Sequence, residues 1–141
     1  MASVVYDSFL ADVFSGAANT SHSYKALLTT SGYTEDRGAH SKRSSVTNEV
    51  SGTGYTAGGV AVTLSASLNT TTHKLTLSIG SATWSSSTIT ARKLVVYRAR
   101  GGASSADELV CCVDNGTDLV SSSSTMQWNA STWEIPLPAP V

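Results

Sequence analysis

The stretch Glu49-Val-Ser-Gly-Thr-Gly-Tyr-Thr-Ala-Gly-Gly59 opens onto Val60-Ala-Val-Thr-Leu-Ser-Ala-Ser-Leu68, and the reading of this junction decides the fold class. Gly52, Gly54, Gly58 and Gly59 permit the positive φ angles of a tight backbone corner. Val60, Val62, Leu64, Ala66 and Leu68 then alternate with small or polar residues, the period of a half-buried strand. The glycines are followed neither by Lys-Ser/Thr nor by a helical pattern. A phosphate-cradling loop needs a helix N-terminus at that point, so the glycines read as structural.

The same alternation continues outward. Leu75, Leu77 and Ile79 repeat it beyond a turn at 69–73, which predicts a hairpin sharing one apolar face. Lys93-Leu-Val-Val-Tyr-Arg98 is a nearly continuous apolar run and predicts a central strand. Tyr24 to Thr30 reads as the first strand of the domain. Ala82-Thr-Trp84, Thr88 to Ala91 and Leu109 to Val113 supply further strands. Asp114-Asn-Gly116 reads as a turn, and Met126-Gln-Trp128 with Trp133-Glu-Ile135 as the last strand pair. About eight strands with no βαβ alternation predict a single all-β domain over 17–135, an antiparallel β-sandwich of jelly-roll or immunoglobulin-like type. Trp84 and Trp128 are its expected core anchors, since each indole buries roughly 150–250 Å².

The ends differ from this pattern. Over 1–16, Val4, Val5, Phe9, Leu10, Val13 and Phe14 recur at helical spacing and predict a short amphipathic helix ending near Gly16. The β-prone run Ser3-Val-Val-Tyr6 favours an extended arm instead. Either form packs on its own sandwich or docks on a neighbouring subunit through Val5, Phe9 and Phe14. Pro136, Pro138 and Pro140 predict an extended C-terminal tail over 136–141, because proline donates no ladder hydrogen bond.

Composition narrows the function. The chain has 141 residues, a formal net charge of −1 and 13% charged residues. Such sparse, balanced charge provides no basic stripe for nucleic acid or for an anionic membrane surface. About three residues in ten are Ser or Thr, which suits strands and polar turns. No apolar run reaches the ~18–20 residues of a membrane helix, and the N-terminus lacks the basic and apolar regions of a secretion signal. The adjacent Cys111 and Cys112 point to opposite faces of a strand and read as reduced thiols, one of them in the core. The Asn-x-Ser/Thr sequons at Asn19, Asn69, Asn115 and Asn129 follow from the Ser/Thr content alone.

The sequence carries little reactive chemistry. His22, His40 and His73 are scattered and lack metal-ligand spacing. Glu35-Asp36 and Asp107-Glu108 read as solvated carboxylate pairs in polar loops. No Gly-x-Ser-x-Gly elbow singles out a nucleophile. The expectation is a non-enzymatic protein with no cofactor and no metal. The long segment 31–48 stands apart, because a connection of this length in a small domain usually forms an interface or carries a function. Its Glu35, Asp36, Arg37, His40, Lys42 and Arg43 are the candidate partner contacts.

Several motifs carry a resemblance: Met1-Ala-Ser-Val-Val-Tyr-Asp-Ser-Phe9, Leu27 to Thr34, Gly52-Thr-Gly-Tyr-Thr-Ala-Gly-Gly59, Ala82-Thr-Trp84, Val95-Val-Tyr97 and Gln127-Trp-Asn129. In these, over nearly its whole length, the chain resembles small virion structural proteins of tailed bacteriophages, of the capsid-decoration kind. It departs where that family shows an aromatic Tyr-Ile-Asp-Phe-Gly run and this chain has Cys112-Val-Asp-Asn-Gly116. The resemblance implies a virion component made in a host bacterial cytoplasm. The first expectation is a decoration or cement protein on the outside of a shell of major capsid protein, associating also with copies of itself as a dimer or trimer. The alternative is a tail- or fibre-associated domain reading glycans through an exposed Trp133 or Tyr55, and a hydrolase is a distant third.

Overall fold

The computed structural model describes residues 3–137. The apolar run around Val95 lies in strand β7 (Thr90–Arg98), between β8 (Leu109–Val120) and β2 (Tyr24–Thr29). With β1 (Val4–Val5) and β3 (Val60–Val62) these strands form an antiparallel sheet in the order β1-β8-β7-β2-β3. A second layer consists of β4 (Leu64–Asn69), β5 (Lys74–Ile79) and β10 (Ser131–Pro136) in the order β10-β5-β4, and of a ribbon pairing β6 (Ala82–Ser87) with β9 (Ser124–Trp128). The protein is thus an all-β sandwich carrying one short N-terminal helix, α1 (Asp7–Ser15).

Between the layers lies the larger core, where Tyr24, Ala26 and Leu28 of β2 and Leu94 and Val96 of β7 meet Leu77, Ile79, Trp84 and Trp128. Both expected anchors are buried there, Trp84 at 3% and Trp128 at 7% exposure. The other face of the five-stranded sheet is covered as well. Leu27, Val95, Tyr97, Leu109 and Cys112 pack there with Tyr6 and with Tyr33 from the 31–48 segment. A sheet buried on both faces reads as continuous apolar sequence, which is why the β7 run shows no alternation.

The structure corrects several expectations. There are ten strands among the described residues: the expected strand 60–68 is two, Val4–Val5 is a further one, and the expected strands 88–91 and 93–98 are joined in the single strand β7. The first of these changes is a break within an apparently continuous pattern. The break falls at Thr63, whose carbonyl accepts the Gly80 N–H at 3.0 Å, and the chain crosses there from the first layer to the second. A strand that bends between packed sheets keeps its period-two pattern through the corner, so the pattern alone does not reveal the break. Beyond it the apolar face runs out into solvent, with Leu68 56% exposed.

At the N-terminus both readings hold in succession. Val4 and Val5 are extended and pair with Cys112 and Cys111, so they do not belong to the helix. The helix begins at Asp7 and ends at Gly16, whose φ of 82° is the left-handed conformation that closes many helices. Asp114-Asn-Gly116 is a bulge inside β8, not a turn between strands. Ala91 pairs with Leu119 and Lys93 with Asp114, so residues 115–118 bulge opposite Arg92 alone. The turn chemistry survives locally, since the Gly116 N–H donates to Asp114 Oδ1 at 2.8 Å. Met126–Trp128 and Trp133–Ile135 do not pair with each other. The first lies in β9 on β6, and the second in β10 on β5. Pro136 belongs to β10, opposite Lys74, and not to a free tail. β10 is an edge strand, where a missing N–H is tolerated. The rest of the expected tail, 138–141, lies outside the described residues.

Cys111 and Cys112 do point to opposite faces, and both are buried, one in each core. Burial pushes both thiols up, Cys112 to about 12. The thiolate is the reactive species. Folded protein is therefore expected to leave both cysteines unmodified by a thiol reagent at neutral pH over the time in which urea-unfolded protein reacts at both. Labelling of the native protein at the unfolded rate would contradict this placement.

Candidate functional site

The 31–48 segment covers the outer face of the five-stranded sheet, where its Tyr33 and Val46 join the smaller core, while the 49–59 corner turns to the other face and places Val50 and Tyr55 on the larger core. Asp107 and Glu108 lie at the Lys42–Arg43 end of the segment, each 1% exposed, which corrects the expectation of a solvated pair. Asp107 accepts from Arg43 Nε at 2.8 Å and from the Arg100 backbone N–H at 3.0 Å. Glu108 accepts from Lys42 Nζ at 3.0 Å and from Arg100 Nε at 2.8 Å, with Arg98 at 3.8 Å. Burial alone would raise the Glu108 carboxyl, but the hydrogen bonds from Arg100 and Lys42 outweigh it and hold the group below its ordinary value. The backbone follows the same route, with Lys42 bridging to Glu108 and the Arg43 N–H donating to the Asp107 carbonyl at 2.8 Å.

A second group lies at the other end of the segment. Lys93 projects from β7 to Glu35 and donates to the Tyr33 carbonyl at 2.8 Å, while Asp114 Oδ2 stands 3.9 Å away. Arg92 bridges Asp114 and Asp118 at 3.4 and 3.3 Å. Between the two groups the Tyr6 and Tyr33 hydroxyls bond at 2.7 Å, and Tyr33 also meets His40 Nδ1 at 3.0 Å. Burial raises both phenols, Tyr33 to about 12.

Every candidate contact in the segment therefore has an intramolecular partner. Glu35 pairs with Lys93, Lys42 with Glu108, Arg43 with Asp107, and His40 with Tyr33. Asp36 accepts the N–H groups of Ala39 and Gly38, which lower its pKa. Arg37 pairs with Asp7 of α1 at 2.8 Å, with both side chains more than half exposed. Arg43 also lies over the Tyr97 ring, 4.9 Å from its centre. The segment reaches from Lys93 to Asp107 and Glu108 and lays Tyr33 and Val46 on the apolar face between them.

The glycine corner is fixed by Glu49, whose Oε1 accepts from the Tyr55 hydroxyl at 2.8 Å and from the Gly58 N–H at 2.6 Å. Tyr97 donates to the Gly58 carbonyl at 2.6 Å. Gly52 abuts Thr88 and Ile89, and Gly54 abuts the backbone of Ser86 and Ser87, so the corner binds the sheet at several points. Sequence reasoning missed Lys93, Asp107 and Glu108, whose partners Glu35, Arg43 and Lys42 are distant in the chain, and Glu49, whose partners Tyr55 and Gly58 lie six and nine residues further on.

The arm candidates separate. Val5 is half-buried in β1, Phe9 is buried and packs edge-to-face with Trp133 at 6.3 Å, and Phe14 is 89% exposed. Beside α1 runs an apolar groove of about 240 Å³, lined by Leu10, Val13, Leu64, Ala66, Leu75 and Ile135 among others. Of the two proposed stacking platforms, Trp133 is engaged by Phe9, and Tyr55 stacks on Trp84 at 6.0 Å with its hydroxyl bonded to Glu49. Among the described residues no cluster of His, Cys, Asp and Glu has the arrangement of a metal site, and no helix is long and apolar enough to cross a membrane. Comparison with protein-family models, with curated proteins and with solved structures finds no match.

Proposed function

We propose that the chain is a structural protein of a bacteriophage virion, binding the outside of a shell of major capsid protein and strengthening it against rupture. The observation that carries this reading is the internal pairing of the charged layer. The two charged groups of this fold, Asp107 with Glu108 and Lys93 with Glu35, are engaged in fastening a cover to a sheet. Such an arrangement favours a stiff body that works through the surfaces it presents. The Gly-Thr-Gly-Tyr-Thr-Ala-Gly-Gly core and the motifs around it support the virion assignment by resemblance. Many weak, repeated contacts on a symmetric lattice then add up to firm attachment, and binding to the intact shell stabilises it by mass action.

The test compares particles assembled with and without the chain. With it, hundreds of copies per particle and a higher temperature of DNA release are expected. A stoichiometry of a few copies per particle, or an unchanged release temperature, would reject the cementing role.

A further inference from the structure

Strand β4 is an open edge. Its neighbour on one side is β5, and among the described residues it has no hydrogen-bonded strand on the other. Proteins usually blunt such edges, and the other sheet edges here show how. β1 has two residues, β3 has three, β10 carries Glu134 and Pro136, and the β6–β9 ribbon is interrupted by a bulge between Trp84 and Ser87. β4 has six residues, Leu-Ser-Ala-Ser-Leu-Asn, without charge, proline or bulge. A flat, uncharged edge of this length is a template for one more strand.

We propose that β4 pairs with β4 of a second copy, antiparallel across a two-fold axis through Ala66, joining two three-stranded sheets into one of six strands. The occupant follows from symmetry and sequence. An antiparallel pair of identical strands requires an axis perpendicular to the sheet, and that axis keeps each strand's apolar face on the same side. Leu64 of one copy then lies opposite Leu68 of the other, Ser65 opposite Ser67, and Ala66 opposite itself. Ala66 is the small side chain that a close approach on the axis needs. Leu68, 56% exposed in the single chain, gains an apolar neighbour. The helices of both copies come to lie on the same side of the joined sheet, and the apolar groove between α1 and β4 continues across the axis. This pairing is independent of what the protein binds as a whole.

Charge placed on the solvent face of β4 tests both the edge and its register. Ser65 and Ser67 are exposed and point away from the core, so substitution there leaves the fold intact. The full chain at about 100 μM is expected to sediment as a species of twice 14.6 kDa. Ser65→Lys with Ser67→Lys puts like charges directly opposite each other and should weaken the dimer at least about tenfold, with an unchanged melting temperature for the monomer. Ser65→Lys with Ser67→Glu puts opposite charges in the same positions and should retain the dimer. A monomer, a trimer or an open-ended fibre from the unmodified chain would overturn the proposal, as would equal behaviour of the two double variants.

Discussion

Gly59→Ala is expected to remove most of the stability of the fold, about 4 kcal/mol or more, seen as a large drop in the urea midpoint or as failure to fold at all. Two effects combine at this position. Its φ of 78° lies in the left-handed region, where an L side chain costs roughly 1–2 kcal/mol. The added methyl would also run into the Ala26 carbonyl, 2.5 Å from its carbon and 2.7 Å from the Leu27 Cα. These are backbone atoms of β2 and have no rotamer by which to yield. Relief would require β3 to move off β2, breaking the pairs Ala26–Val60 and Lys25–Ala61. Gly101→Ala is the matched control. Its φ is 81°, yet nothing lies within 4 Å of an added Cβ. That variant should lose only the conformational part, about 1 kcal/mol. Equal effects of the two substitutions would show that the contact with β2 is not the cause.

The second large effect belongs to Glu108. Glu108→Gln leaves Lys42, Arg98 and Arg100 around a neutral amide and is expected to destabilise the protein by about 2–3 kcal/mol. The figure is below that of a fully enclosed ion pair because the Lys42 and Arg100 side chains are 39% and 38% exposed and can turn to water. Acidity carries the same information. The folded-state pKa of Glu108 lies below its unfolded value, so its contribution is fully present above about pH 4.3 and is lost as pH falls through the folded value. Asp12 acts in the opposite sense, since burial raises its pKa and its ionisation opposes folding. The stability of the unmodified protein, measured by urea melts from pH 7 to pH 3, should therefore fall more steeply on acidification than that of Glu108→Gln. Parallel curves would remove Glu108 from the groups that make the fold acid-sensitive.

Where the sequence was legible, a single local pattern decided the outcome. Leu75, Leu77 and Ile79 alternate because one face of β5 is buried, and the turn before them is marked by Asn69, whose Oδ1 accepts from the Thr71 and Thr72 N–H groups. β7 was legible as central because it is apolar on both faces. The glycine corner was legible because Gly59 permits a φ and an approach that no other residue does. The break at Thr63 was hidden, since a strand bending between layers keeps its alternation. The Asp114–Gly116 bulge was hidden for the opposite reason. Its residues have turn chemistry, and only the pairing of Lys93 with Asp114 and of Ala91 with Leu119 keeps the strand running through them.

The charged layer was the least legible part. Asp107 and Glu108 look like any acidic pair in a loop, and their partners Arg43 and Lys42 lie more than 60 residues earlier. Nothing in the local sequence marks a carboxylate as buried when the cation that neutralises it arrives from another element. The 31–48 segment was recognisable as too long to be idle, and the density of its charged residues pointed to contacts of some kind. That those contacts are made with the sheet beneath, within the same molecule, is a matter of tertiary pairing.

Because Cys111 and Cys112 face separate hydrophobic compartments, the β7–β8 ladder is a wall shared by two rooms. Lifting the 31–48 cover or peeling away the second layer exposes one compartment each, and the amide hydrogen bonds of the ladder open only once both have gone. Those amides should be the last in the chain to exchange with deuterium, and should do so only in the globally open state. A local defect on either side of the wall therefore leaves the other side shut, and the molecule fails by halves before it fails as a whole.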